Sequence, residues 1–418
     1  MIPHIRILFC IFLPAFSFCF VSGQEPVIKE PEPAVPVEAP EPKPEPKQQV
    51  AQVNNAACFL SGLKAPHAGA EALFDSKSFA YHQTRIDKEW EEYTSRTLHP
   101  LSSWASQEVA PWSKQGGVVR YMFSGPDILH AFHMFPKADT FVLCGLEPVG
   151  VAPDISKLTP GNAGRALGEV RNAVGELINF SFFRTKDMKS DLQYATFRGT
   201  TPIMMVFLAR SGQYVKGYEF FELKKDGTLE SKGEVSKGAN AVRIDFSPQR
   251  VQKTKSLYYF STDLSNGGFT KNGFDVWLSA REKGDAYAKA ASFLMHQSYF
   301  SDIRNHLLEN SIQVVEDDSG IPYKYFDKEK WDISLYGNYT GPIDLFAQHY
   351  QRDLRSAYRA DRTPIEFGTG YKWRKGESNL MRYVAKGAVK EELPKEEEPV
   401  VEPVPKAEPE PAPADPVE

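Results

Sequence analysis

The sequence predicts an α/β fold: a mixed, mostly parallel sheet flanked by helices, with a Pro/Glu-rich arm at each end. Three observations carry that expectation. Two largely apolar runs of strand length, VVRYMF at 118–123 and TFVLCGL at 140–146, enclose a glycine turn and a short helical pattern. That is the outline of a β-α-β unit, and such units build parallel sheets. Longer segments of helical periodicity alternate with further short apolar runs down to about residue 358. Finally, 16 of the 31 prolines fall in residues 24–49 and 390–418.

The chain opens on a signal-peptide pattern. Arg6 supplies the basic region, 7–21 is the apolar stretch, and Val21-Ser22-Gly23 places cleavage before Gln24. The expected location is therefore outside the cytoplasm, in a periplasm, at the cell surface or extracellular. The tract 24–49 alternates Pro, Glu and Lys. With little apolar surface to bury, it reads as an extended, disordered spacer, and 390–418 repeats that chemistry. These tracts carry −3 and −7, which with Arg6 leaves +4 on residues 50–389 within the total of −5. So weak a balance does not point to nucleic acid. No internal apolar run reaches transmembrane length.

Residues 50–389 form the predicted globular core, with a sub-boundary near 225–240 kept as an alternative. Phe79, His82, Ile86, Trp90 and Tyr93 predict a helix over 79–93. The strand 118–123 follows, then a helix over 127–135 ended by Pro136, then the strand 140–146. Leu167, Val170, Val174, Leu177 and Ile178 predict a helix over 162–181, and another is expected over 202–211. Strands are expected at 214–223, 241–246 and 256–262, with a turn at Asp226-Gly227. Helices follow at 284–297 and 300–309, strands at 312–315 and 333–336, and an amphipathic helix at 343–358.

Strand, Gly125 turn, helix, strand, Glu147: this is the outline of a Rossmann-like, nucleotide-binding half. Gly125 and Glu147 are therefore candidate cofactor-binding residues, the carboxylate being spaced to hold a ribose hydroxyl. No GxGxxG is present, and Pro126 stands where a phosphate needs open backbone N–H groups. Asp127, His130 and His133 form a candidate metal set of imidazole and carboxylate ligands. The alternative is that Asp127 caps the helix while both histidines pack among aromatic side chains. Asp317 and Asp318, in the strand-end loop 316–320, are candidate catalytic carboxylates beside Asp127, or else the anchors of an Asx-type turn. A cofactor is thus expected to be absent or a divalent metal. Aromatic residues from Tyr323 to Tyr358 fit core packing or a saccharide surface. Cys58 and Cys144 remain after signal removal, paired in a disulfide or buried as free thiols. HExxH, GxSxG and the Walker A lysine are missing.

The series FSGPD (123–127), GLEPVG (145–150), SFFRTKDM (181–188), DDSGIPYKYF (317–326) and WRKGESNL (373–380) resembles a family of exported bacterial proteins of no assigned activity. The core outline is also similar to class I methyltransferase-like folds. The first resemblance implies an envelope origin and no particular reaction. The expected function is non-catalytic, a binding or scaffold protein of the envelope whose partner is an envelope protein or a saccharide. The alternative is a metal-assisted hydrolase using Asp127, His130 and His133 with Asp317 or Asp318 as base.

Overall fold

The computed structural model describes residues 47–65, 70–182, 197–248 and 253–391. The expected signal peptide, most of the expected 24–49 spacer and the tail beyond Glu391 lie outside the described residues. The last three residues of the expected spacer do not belong to it. Helix α1 (Lys47–Leu60) begins there and packs on the sheet.

Ten strands form one mixed sheet: β1 (Val118–Tyr121), β2 (Thr140–Gly145), β3 (Gln213–Leu223), β4 (Leu229–Gly233), β5 (Ala241–Pro248), β6 (Lys255–Ser261), β7 (Gly284–Ala288), β8 (Ser311–Glu316), β9 (Trp331–Gly337) and β10 (Asn379–Ala385). Their order is β4-β3-β5-β6-β2-β1-β7-β8-β10-β9. The central five, β6-β2-β1-β7-β8, are parallel. The five remaining pairings are antiparallel, so the expectation of a mostly parallel sheet is corrected. The reason lies in the connections. Asp226-Gly227 turns β3 into β4, and only six residues separate β5 from β6. A parallel crossover needs a dozen or more. The suggested boundary near 225–240 falls inside this antiparallel wing, which is hydrogen-bonded into the same sheet.

Apolar side chains leave the strands with period two and fill both faces. Val119, Tyr121, Phe141 and Leu143 join one core with α1, α2 (Lys77–Tyr93), α3 (His99–Glu108), α4 (Ile128–Met134), α5 (Pro160–Phe180) and α6 (Thr201–Arg210). Val118, Val142 and Cys144 join the other with Phe274, Trp277, α7 (Ser301–Asn310) and α8 (Arg352–Ala360). The helices expected at 79–93, 127–135, 162–181, 202–211 and 300–309 correspond to α2, α4, α5, α6 and α7.

Two expected helices are corrected. The segment 284–297 is not a helix; its first part is β7, buried throughout between β1 and β8. A Cβ on Gly284 would stand 2.2 Å from the Val118 carbonyl, so the small residues here serve close strand packing. The segment 343–358 is broken. A short helical stretch, Asp344–His349, precedes α8, with Gln351 extended between them. The Gln351 side chain accepts from the Tyr323 N–H (2.8 Å) and donates to the Asp318 carbonyl (3.1 Å), which fixes the break.

A candidate ligand site at the switch of the sheet

Because the central strands are parallel, their carboxyl ends share one edge. From β1 the chain winds outward to β2 and β6, then crosses back to place β7 on the other side of β1. Winding therefore reverses between β1 and β7. In open α/β sheets the crevice outside the carboxyl ends at such a point is where ligands bind.

After β1 the backbone turns sharply, with Phe123 (φ 60°) and Gly125 (φ 55°) both left-handed. Asp127 then caps α4, accepting from the His130 N–H (3.1 Å). Its carboxylate also accepts from the Tyr121 hydroxyl (2.9 Å), the Lys289 ammonium (2.8 Å) and His130 Nδ1 (2.8 Å). With Asp127 as acceptor, the His130 proton belongs on Nδ1, and the Tyr93 hydroxyl donates to Nε2 at 2.6 Å. Lys289 additionally donates to the Ser181 carbonyl, where α5 ends. All of these side chains are buried. Burial alone would raise the Asp127 carboxyl, but His130 and Lys289 hold it below the usual carboxylate range. Burial lowers both His130 and Lys289, against the pull of Asp127.

Glu147 follows β2 by two residues and is 2% exposed. The Tyr259 hydroxyl donates to its carbonyl (2.9 Å) and lies 3.4 Å from Oε2. A Cβ on Gly145 would come within 2.3 Å of Oε2, so glycine is what lets the carboxylate lie there. After β7 the chain is left-handed at Ala290, Ser292 and Phe293, an uncommon conformation for residues with side chains. It is braced from β8. Ala290 N–H donates to Asp317 Oδ2 (2.9 Å) and Ala291 N–H to Ser319 Oγ (2.7 Å).

These turns enclose a cavity of about 130 Å³. Gly125, Asp127, Glu147, Asp263 and Lys289 line it together with Phe123, Leu264 and Phe300. Three of the candidate residues, Gly125, Asp127 and Glu147, are thus brought together. The others are not. His133 is bonded to Ser102 Oγ (2.9 Å) and Ser211 Oγ (3.3 Å), away from the Asp127 carboxylate. No group of three His, Cys, Asp or Glu side chains among the described residues is arranged to hold a metal ion. Asp127 is a helix cap and a partner of Lys289, which corrects its place in an Asp/His metal set.

Asp317 and Asp318 brace loops rather than line the cavity. Asp317 Oδ1 accepts from the Ser319 N–H at 2.9 Å, an Asx-type turn. Asp318 accepts from Asn379 Nδ2 (2.9 Å), and its N–H donates to Asn379 Oδ1 (2.8 Å). Burial raises both carboxyls, Asp318 to about 7. Nor does the Gly125 turn form a phosphate cradle. The N–H groups of Ser124 and Gly125 both donate to the Cys144 carbonyl, at 2.9 and 3.1 Å. Cys58 and Cys144 are both buried free thiols, one on α1 and the other in β2.

Lys289 and Asp263 are the charged site residues that the sequence reading missed. The run GDAYAKAAS is rich in alanine and imitates a helix, which is why a helix is expected over 284–297. The available signal was the short run GDAYA, opened by Gly284 and followed at once by a charge. No protein-family model, curated protein or solved structure matches the chain.

Proposed function

We propose that this is an exported binding protein of a bacterial envelope whose core takes up a small molecule at the carboxyl ends of β1, β2 and β7. One observation carries the reading: a cavity lies where the winding of the sheet reverses, and polar side chains from three strand ends converge on it. Numbered among themselves in chain order, the parallel strands run 3-2-1-4-5, the order of doubly wound folds. Within that Rossmann-like reading, Glu147 sits where such folds hold a ligand hydroxyl. The cavity's 130 Å³ is close to the roughly 150 Å³ space that accepts benzene, and well short of a dinucleotide's needs. A compact ligand fits better than a nucleotide cofactor. A metal-assisted hydrolase has less support, because His133, Asp317 and Asp318 are bonded elsewhere.

The test is a fragment screen by thermal shift and native mass spectrometry on the chain and on Leu264→Trp, which fills the cavity. Fragments are expected to bind the parent and not the variant. A screen with no binder, or with binders indifferent to the variant, overturns the reading. Export is checked separately, by the mass of the mature chain, which should begin at Gln24.

A further inference from the structure

The cavity wall carries more negative charge than positive. Among the lining residues are the carboxylates of Asp127, Glu147 and Asp263 and a single cation, Lys289. Lys289 is committed to Asp127 at 2.8 Å. Neither Glu147 nor Asp263 has an ion-pair partner among the described residues. Asp263 is a solvent-exposed member of the lining, tied at both oxygens to Ser265 by the N–H (2.9 Å) and the hydroxyl (2.8 Å), which leaves its charge. Glu147 is less satisfied still. Only the Tyr259 hydroxyl reaches its carboxylate, at Oε2, and no described residue hydrogen-bonds Oε1. Glu147 Oε1 is not among the fully enclosed polar atoms, so it is open to the cavity that Glu147 lines and free to accept from a ligand there.

The two acids are neighbours by register. Gly145 pairs with Ser261 across the parallel β2–β6 ladder, and Glu147 and Asp263 each lie two residues further on. Neighbouring strands stand roughly 4.8 Å apart. Part of the lining is apolar. Phe123 meets Phe300 edge to face with centroids 5.6 Å apart, and Leu264 lines the same cavity. Carboxylates and aromatic rings in one cavity both favour a positive charge, the first through Coulomb attraction and the second through the ring quadrupole.

Resting on the proposal that this cavity binds a small molecule, we infer that its ligand is a small organic cation, a compact amine or quaternary ammonium compound. The charged end lies at Glu147 and Asp263, and the alkyl part lies against Phe123, Leu264 and Phe300. The cavity volume limits it to about six to eight non-hydrogen atoms, by comparison with benzene-sized spaces.

The experiment holds shape constant and varies charge. Calorimetric titration of the intact chain uses choline and cyclopentylammonium as cations. The neutral counterparts are 3,3-dimethylbutan-1-ol and cyclopentanol, and 3,3-dimethylbutanoate is the anion. At least one cation should bind at least tenfold more tightly than its neutral counterpart, with the anion silent. Glu147→Gln should abolish that difference, Asp263→Asn should reduce it, and thermal melts confirm that both variants fold. Equal affinity for cation and neutral isostere overturns the inference, as does cation binding unchanged in Glu147→Gln. Failure of every cation to bind overturns it too. Fragments that bind the parent and not Leu264→Trp would at the same time leave the small-molecule reading standing.

Discussion

Asp127 concentrates more interactions than any single role requires. It caps α4, fixes the His130 tautomer and neutralises Lys289, all in a buried setting. Removing one partner of such a pair leaves the other charged and unsolvated, a loss of about 3–5 kcal/mol. Lys289→Met is therefore expected to destabilise the fold by that amount in urea titrations. Asp127→Asn keeps the cap and removes the charge, so the double variant should be less destabilised than the sum of the single losses by about 1–3 kcal/mol. Strict additivity would show that the contact contributes nothing as a pair. Tyr93→Phe is a milder probe, deleting only the donor to His130 Nε2 at 2.6 Å. Leaving this buried acceptor unpaired costs about 1–3 kcal/mol. A melt unchanged by Tyr93→Phe would show that this buried hydrogen bond adds nothing to stability.

At the scale of elements, the loop after β2 is held against the start of α6 by backbone hydrogen bonds, with the Thr201 hydroxyl also donating to the Val149 carbonyl (2.7 Å). Val151 N–H donates to the Arg198 carbonyl (3.0 Å), Thr200 N–H to Pro148 (3.1 Å) and Thr201 N–H to Val149 (3.1 Å). The two backbones approach so closely that a Cβ on Gly150, where φ is 78°, would lie 1.9 Å from the Arg198 carbonyl oxygen. Gly150→Ala should cost about 1–3 kcal/mol and raise hydrogen exchange at Val151, Thr200 and Thr201. Unchanged exchange there would mean that the contact is dispensable. Nothing in GLEPVG announces this contact, because its partner lies some fifty residues away. Local chemistry was legible. The Asp127 cap, the Gly125 turn and the apolar faces of α2 and α5 follow from spacing and from the residues that favour caps and turns. What depends on distant partners was not. β7 looks helical until β1 and β8 enclose it, and Gln351 breaks the 343–358 periodicity through bonds to residues 318 and 323. The site was half legible for the same reason. Gly125, Asp127 and Glu147 belong to one β-α-β unit, whereas Lys289 and Asp263 arrive through the fold.

Across the whole molecule, the sheet combines a parallel centre, whose strand ends carry the cavity, with antiparallel wings whose strands line none of it. The outer strand β4 is kept from pairing with other chains by charge. Glu222, Lys224, Glu230 and Lys232 interlock across β3 and β4 on its exposed surface. The charges inside have a different consequence, which sets how stability follows pH. Burial lifts Asp285 from 3.8 to about 7, and it lifts Asp318 to about 7 as well. Between the unfolded value near 4 and the folded value near 7, the folded chain holds more protons than the unfolded one. Stability due to these groups is then full below pH 4, falls as pH rises, and is gone above about pH 7. Asp127 has the opposite sign, since its folded pKa is depressed. Its contribution is present above the unfolded value of 3.8 and lost only as pH falls toward the folded value. The buried histidines act against these acids: His82, His133 and His306 are lowered to about 4 and His296 to about 3, so their contribution rises with pH up to about 6.5. The part due to an acid is therefore read from a variant that lacks it. Asp285→Asn keeps the shape while removing the titration. Its urea midpoint should exceed the parent's by more at pH 8 than at pH 5.5. A difference between variant and parent that is the same at both pH values would show that this buried acid does not shape the profile.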